Sequence, residues 1–380
     1  MKTSLLAVLL GIQTGIIGAG EVEVNISGPS ATRDFSAALK DATPGDTIRL
    51  LPAGNPVRMG LTIRNIKGLP GKPIIIDGSF NTLLGSQPVS LTDWKEVNPG
   101  TGLYHRQLEV VPIDARFFMI FNNHMERMGR QVKGMKADLK VPEELKNFEW
   151  TLTGKNDAWF KLPDGVLPVE AGVEEPCYDN GVGLCGECAN LVIRNMIVKR
   201  FWNDGCNIHN NCRDILFENI AAIENGDDGS SAHETCKIKM KNFLSLRNGT
   251  GFCHVQNAEC EHENVYIAEA FGRDILLENT FNTLSNVTVE GHANSDLLFC
   301  SKVGSVMLEN CFFNGLIQGR KCDFVKGLEV KASNVMISGY AAGHLPSGVT
   351  QTEFKAFQPQ YDAIKKQVIA VFAGHLPPNP

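Results

Sequence analysis

Between residues 201 and 260 the chain sets acidic, amide and imidazole side chains on a regular beat. Cys188, Cys212, Cys236 and Cys260 are each 24 residues apart. The same offset carries Asn203 onto Asp227, Asp204 onto Asp228, Gly205 onto Gly229 and His209 onto His233. If one period is one coil of stacked strands, residues one period apart lie roughly 4.8 Å apart. Asp204, Asp227 and Asp228 would then form a cluster of carboxyl groups. Like charges at that spacing raise one pKa, which gives one protonated and one ionised carboxyl. Glycoside hydrolysis uses such a pair, and its inverting form wants them roughly 6.5–9.5 Å apart. That separation suits the diagonal Asp204–Asp227 better than a direct stack. Asp228 is the expected acid, with Asp204 and Asp227 as base partners. The same three carboxylates with Asn203 are also a set of hard oxygen ligands for calcium. The bland alternative is that Asn-Asp-Gly and Asp-Asp-Gly only turn the chain.

Other side chains near this cluster suit binding. His233 and His209 form an imidazole pair that would tune the acids or hold substrate. Trp202 offers a face for a sugar ring, or packs at a corner. Lys237 begins an alternating row with Lys239 and Lys241, a solvated face that an acidic glycan would also meet. His254 and Arg273 follow on later coils.

These residues need a scaffold that turns a linear period into a column. Short apolar runs at a fixed period, without a long helical pattern, indicate a solenoid. NLVIRN, DILFEN, KIKMKN, NVYIAE, NVTVEG, SVMLEN and LEVKAS begin at Asn190, Asp214, Lys237, Asn264, Asn286, Ser305 and Leu328. Each alternates apolar and polar residues, and many end in Asn, where stacked amides can bond from coil to coil. The expected fold is all-β, a right-handed parallel β-helix, the hand following from parallel crossovers. A helix over 33–42 would cap its N-terminal end, within a region 21–106 that carries the first coils. A β-rich insertion is expected over 107–186, main coils over 187–350 and a helical tail over 351–380. A propeller or sandwich is the competing fold, suggested by Asn225-Gly226 and Asn248-Gly249 as hairpin turns.

The chain has 380 residues and a net charge of −6. With no basic cluster, nucleic acid is not its expected partner. Residues 1–20 read as a signal peptide, with Lys2, an apolar stretch Leu5 to Ile17, and Gly18-Ala19-Gly20. No later stretch would span a membrane. The expected location is secreted or periplasmic, and the expected state a monomer. All eleven cysteines lie within 177–322. They would pair as disulfides or stack as a ladder of buried thiols, since both fit the coil spacing.

At these residues the chain resembles secreted β-helix enzymes that act on polysaccharides. Polygalacturonase-like glycoside hydrolases carry Asn-x-Asp-Gly, Asp-Asp, Gly-His-Gly and Arg-x-Lys on successive coils. Asn203-Asp204-Gly205 is similar to the first and Asp227-Asp228 to the second. Asn248-Gly249-Thr250-Gly251 is similar to the third, with Thr250 in place of histidine and His254 following. Arg273 stands for the fourth. The resemblance implies hydrolysis of an acidic polysaccharide without a cofactor. Catalysis would fall to Asp204, Asp227, Asp228 and His233, with Asn203, Trp202, His209, Lys237, His254 and Arg273 on the substrate. More distantly, the chain resembles β-helix polysaccharide lyases. That likeness implies a calcium ion among Asn203, Asp204, Asp227 and Asp228, and a base from His209, His233, Lys237 or Arg273. A third expectation is a non-catalytic, adhesin-like β-helix that binds glycans.

Overall fold

The computed structural model describes residues 19–109, 116–126, 139–154, 156–293, 296–299, 303–341 and 343–376. The expected leader over 1–20 lies outside them, apart from its last two residues. Among the described residues, eleven strands form one sheet and eight shorter strands a second, and successive coils pair in parallel. A representative coil runs through Arg213–Ile223 in the first sheet and Asp228–Ala232 in the second. Each of the seven repeated segments named above falls on the long-strand sheet, but NVYIAE and NVTVEG start at the asparagine where KIKMKN and SVMLEN end, with Asn242 matching Asn264 and Asn286 matching Asn310.

The seven long strands from Ala189–Lys199 to Glu329–Ser338 share a mid-strand bend at an asparagine in the left-handed conformation. Asn195, Asn219, Asn242, Asn264, Asn286, Asn310 and Asn334 all have φ between 51° and 57°. Asparagine tolerates this region better than other residues with a Cβ. Each side-chain amide donates to the carbonyl oxygen of the preceding one at 2.8–3.2 Å. Asn195 ends the row on Asp77 at 3.1 Å. The ladder is the coil-to-coil amide stack the sequence implies.

The interior is filled by Ile, Val, Leu and Phe facing inward from both sheets, with Cys188, Cys212, Cys236 and Cys260 among them, at most 2% exposed. These four carry no disulfide, so this row packs the core as small apolar side chains. The helix Ala31–Asp41 sets Ala31, Phe35 and Leu39 into the same interior. The helix Gln358–Val371 lies along the outer face of the long-strand sheet. There Tyr361, Ile364 and Val368 pack with Ala221, Leu244 and Tyr266.

The excursion begins earlier than expected. After Ile74–Leu84 the chain leaves the coil, and Ser86–Pro88 already pairs antiparallel with Glu174–Pro176. Lys95–Glu96, Leu103–Gln107, Asp157–Lys161 and Glu149–Thr153 form a separate antiparallel sheet over its own core of Trp94, Phe117, Trp150 and Phe160. Residues 90–106 therefore belong to the excursion, not to the first coils. Half-buried strands alternate in the same way in both settings, so the pattern alone does not separate them. Asn225-Gly226 and Asn248-Gly249 turn coil corners rather than hairpins: Asn225 Nδ2 donates to Asn248 Oδ1 at 2.9 Å on the next coil.

Candidate functional site

One corner of the solenoid joins the long strands to the short ones. There the 24-residue offset stacks Asp179-Asn180-Gly181, Asn203-Asp204-Gly205 and Asp227-Asp228-Gly229. The Asn203 amide N–H donates to the Asp179 carbonyl at 2.8 Å, and that of Asp227 to Asn203 at 2.7 Å. The Gly205 N–H donates to the Asp228 carbonyl at 2.9 Å. Close packing fixes the corner: a Cβ on Gly226 would stand 1.7 Å from the Trp202 carbonyl oxygen. Asp228, Thr250 and Arg273 continue one column along the short strands.

Asp204, Asp227 and Asp228 come together as expected, each offering an oxygen within 4.8 Å of the others. All three are nearly inaccessible, at 2%, 3% and 0% exposure. Asp204 is the best anchored. Its Oδ1 accepts the Asp228 N–H at 2.9 Å, and its Oδ2 accepts amide N–H groups from Asn207 at 2.6 Å and Asn203 at 3.2 Å. Oδ1 thus ties Asp204 to the next coil and Oδ2 braces its own turn, so Asp204 positions the corner. Asp227 makes an ion pair with Arg116 at 2.9 Å, and Arg116 also donates to Asn203 Oδ1. Arg116 belongs to the excursion, which thus reaches over the corner.

Three oxygens within 4.8 Å suit a cation with bonds of roughly 2.3–2.6 Å. However, Asp204 has both oxygens committed to N–H donors, and the Arg116 guanidinium already supplies positive charge to Asp227. The residues present do not fit a calcium ion with Arg116 in place.

Open space lies beside the corner rather than over the three aspartates. A hollow of about 420 Å³ is lined by Tyr178, Asp179, Asn180, Asn207 and His209 among others. Asp179 is the carboxyl group that faces it. The surrounding protein holds this carboxyl above its ordinary range, desolvation outweighing the nearby Arg116 guanidinium, although the residue keeps access to solvent. Asp179, Asn180 and Arg116 were not among the residues expected from the sequence. The 24-residue offset points to the first two, since Asp179-Asn180-Gly181 precedes Asn203-Asp204-Gly205 by one period. Arg116 carries no such signal, because it comes from a non-repeating segment.

His209 and His233 stack as rings 4.1 Å apart, with Glu234 3.3 Å from the His209 Nδ1. They sit at the far end of the short strands, five residues or roughly 16 Å of extended chain from the aspartates. His233 is therefore not an adjacent tuner of Asp228. Trp202 packs edge-on against Phe117 of the excursion, ring centroids 5.9 Å apart. Lys237 pairs with Glu259 at 2.6 Å on the long-strand side, away from the hollow. His254 is wholly buried, 3.1 Å from His262 in the solenoid interior, and cannot meet a substrate. Its inward position follows from strand alternation: it pairs with Ala232, which pairs in turn with Ile208, and both of these face the interior. Arg273 is half-buried, and among the described residues its Nε has no partner.

A larger hollow, about 860 Å³, lies around Arg58, Phe80, Lys199 and Arg200. Its cations are committed to structure. Arg200 and Lys199 hold Glu224 at 2.7 and 3.5 Å, and Arg200 holds Glu174 at 3.5 Å. These neighbours pull the Glu224 carboxyl down to about 2 against its burial. The network ties the excursion to the coil.

No protein-family profile matches the chain. No curated protein matches it either. Among solved structures it is similar to the complex of XylC with xylose, at 12% identity and a TM-score of 0.49, over 87% of this chain and 70% of that one. It is similar to a glycoside hydrolase at 10% identity and 0.47, over 88% and 96%. It is similar to the pectate lyase Pel9A at 13% identity and 0.45, over 89% and 80%. Likeness at these values transfers no residue role to this chain.

Proposed function

We propose that this chain hydrolyses a glycosidic bond in an acidic polysaccharide, with Asp179 as proton donor and Asp227 as base. One observation carries the reading. Asp179 and Asp227 hold the same corner position two coils apart, with Asn203 between them, and Asp179 opens onto the hollow. Two strand spacings amount to roughly 9.6 Å, near the upper end of the separation for an inverting pair with a water between. The raised pKa of Asp179 favours its protonated form, as an acid needs. Arg116 explains the preference for an acidic sugar. Its guanidinium meets a substrate carboxylate by two parallel hydrogen bonds, and in doing so releases Asp227 to take a proton from water. The chain acts after export, as a monomer, and the hydrolytic step uses no cofactor.

His209 lines the same hollow and keeps β-elimination as the second reading, with this imidazole removing the proton beside a uronate carboxylate. Incubation with polygalacturonate, alginate and chondroitin sulfate distinguishes the two. New reducing ends without ultraviolet absorbance support hydrolysis, whereas an unsaturated, absorbing product overturns it in favour of elimination. Binding without any product, surviving Asp179→Asn, would make the protein a glycan-binding scaffold.

A further inference from the structure

Inside the solenoid, three residues from one coil meet that the corner site does not use. His254 faces inward from the short strand Thr250–Val255, and Cys260 and His262 face inward from the long strand Glu259–Ala268. Their exposures are 0%, 2% and 1%. One ligand atom from each lies within 4.8 Å of the others. The two imidazoles meet Nε2 to Nε2 at 3.1 Å, and Phe252 stacks on the His262 ring at 4.3 Å. One ring must donate through Nε2 and leave a bare Nδ1. The other must accept, and so carries a proton on Nδ1. Both Nδ1 atoms are buried, and among the described residues neither has a partner. On the next coil Asn282, in register with Cys260, has a buried Oδ1 that also lacks one. Buried unsatisfied polar atoms are rare, because each costs on the order of 1–3 kcal/mol. Here three gather in one stretch of the interior.

We propose that His254, Cys260 and His262 bind one soft monovalent cation, Cu(I). Two imidazoles and a thiolate are the donor set for a soft transition metal, whereas carboxylates and carbonyls suit calcium or magnesium. Charge chooses the oxidation state. Cu(I) with one thiolate is neutral overall, whereas Zn(II) would leave a net positive charge in a dry core, which is expensive. Coordination number agrees, since zinc takes four ligands in structural sites and three are present. Metal–nitrogen and metal–sulfur bonds of roughly 2.0 and 2.3 Å set ligand atoms roughly 3.5 Å apart. The imidazoles would separate by a few tenths of an ångström to admit the ion. Binding releases the thiol proton to solvent and moves one imidazole proton from Nε2 to Nδ1, with no change of oxidation state. Met240, paired with His262 on the adjacent coil, adds a thioether to the same neighbourhood.

The site is closed in the folded chain, so the ion enters during folding. The experiment refolds the full chain anaerobically with Cu(I), removes loose metal with bicinchoninate, and measures bound copper. About one copper per chain is expected, with a loss of roughly tenfold or more in His254→Leu and His262→Leu. The Cys188, Cys212 and Cys236 thiols serve as an internal control, because they stack without an imidazole. Copper retained in both leucine variants would place the metal on that row and overturn the site. Preference for Zn(II) over Cu(I) would overturn the ion, and no retained metal would overturn both. If a variant fails to fold, X-ray absorption of the wild-type copper protein decides. A mixed nitrogen and sulfur shell supports the site, and a shell of sulfur alone refutes it.

Discussion

Asp179 and Asp204 are one coil and one residue out of step, yet substitution should affect them in opposite ways. Asp179 faces a hollow and anchors little, so Asp179→Asn should lower reducing-end release by roughly 10²–10⁴. Its melting temperature should barely move, as for most surface changes. Asp204→Asn is different. The new amide would turn N–H groups toward the donors of Asn203 and Asn207, or toward the Asp228 N–H. A buried donor left unsatisfied costs about 1–3 kcal/mol, so this variant should melt earlier, which calorimetry would show. Arg116→Lys keeps the charge but loses the planar fork. Raised KM for a uronate polymer, with a smaller change in kcat, is the expected kinetic result. An unchanged KM would remove Arg116 from substrate recognition. The carboxylate cluster itself was legible in the sequence, because the period places Asp204 over Asp228. Which carboxyl group reaches solvent was not, since that depends on a side chain from the excursion covering Asp227.

At the scale of elements, the asparagine row shows why the fold was readable. Asparagine recurring in strand after strand marks both the left-handed bend and the amide stack, so one residue type reports two constraints. The two can be separated at Asn242, which donates to Asn219 and accepts from Asn264. Asn242→Gly keeps the conformation and loses the amide. Asn242→Ala loses both, and an alanine forced left-handed costs roughly 1–2 kcal/mol more. The alanine variant should therefore unfold at lower denaturant than the glycine variant, and both below wild type. Equal midpoints would mean that the bend is held by its neighbours alone. The excursion was harder to read for a physical reason. Its strands Leu103–Gln107 and Asp157–Lys161 alternate like coil strands but pair antiparallel, and alternation does not report pairing direction. His254 was misplaced for a related reason. The run Thr250–Val255 has no clear apolar–polar alternation, so nothing in it marks His254 as sharing the inward column of Ile208 and Ala232.

For the whole molecule, the stacked coils bury polar groups at positions where apolar ones would suffice, and this gives stability a pH dependence. Asp274 lies in the interior at 1% exposure, and its Oδ2 accepts the Tyr340 hydroxyl at 3.4 Å. Tyr340 and Cys322 are its titratable neighbours, and burial raises both of them as well. Burial pushes the Asp274 carboxyl up to about 8. Its unfolded value is about 3.9, so between the two the folded chain binds the extra proton. Stability from this group is therefore fully present below about pH 4, declines as pH rises, and is lost above about pH 8. A tenfold change in proton affinity on folding corresponds to about 1.4 kcal/mol, which makes the decline on the order of several kcal/mol. Asp274→Asn removes the proton equilibrium while keeping the shape. Other groups tilt the absolute curve, Glu224 among them with its stability lost only as pH falls toward about 2. The useful quantity is thus the difference between variant and wild type. The melting temperature of Asp274→Asn minus that of wild type should rise steadily from about pH 5 to about pH 8. A difference that stays flat across this range would show that Asp274 reaches solvent and titrates as an ordinary carboxyl group.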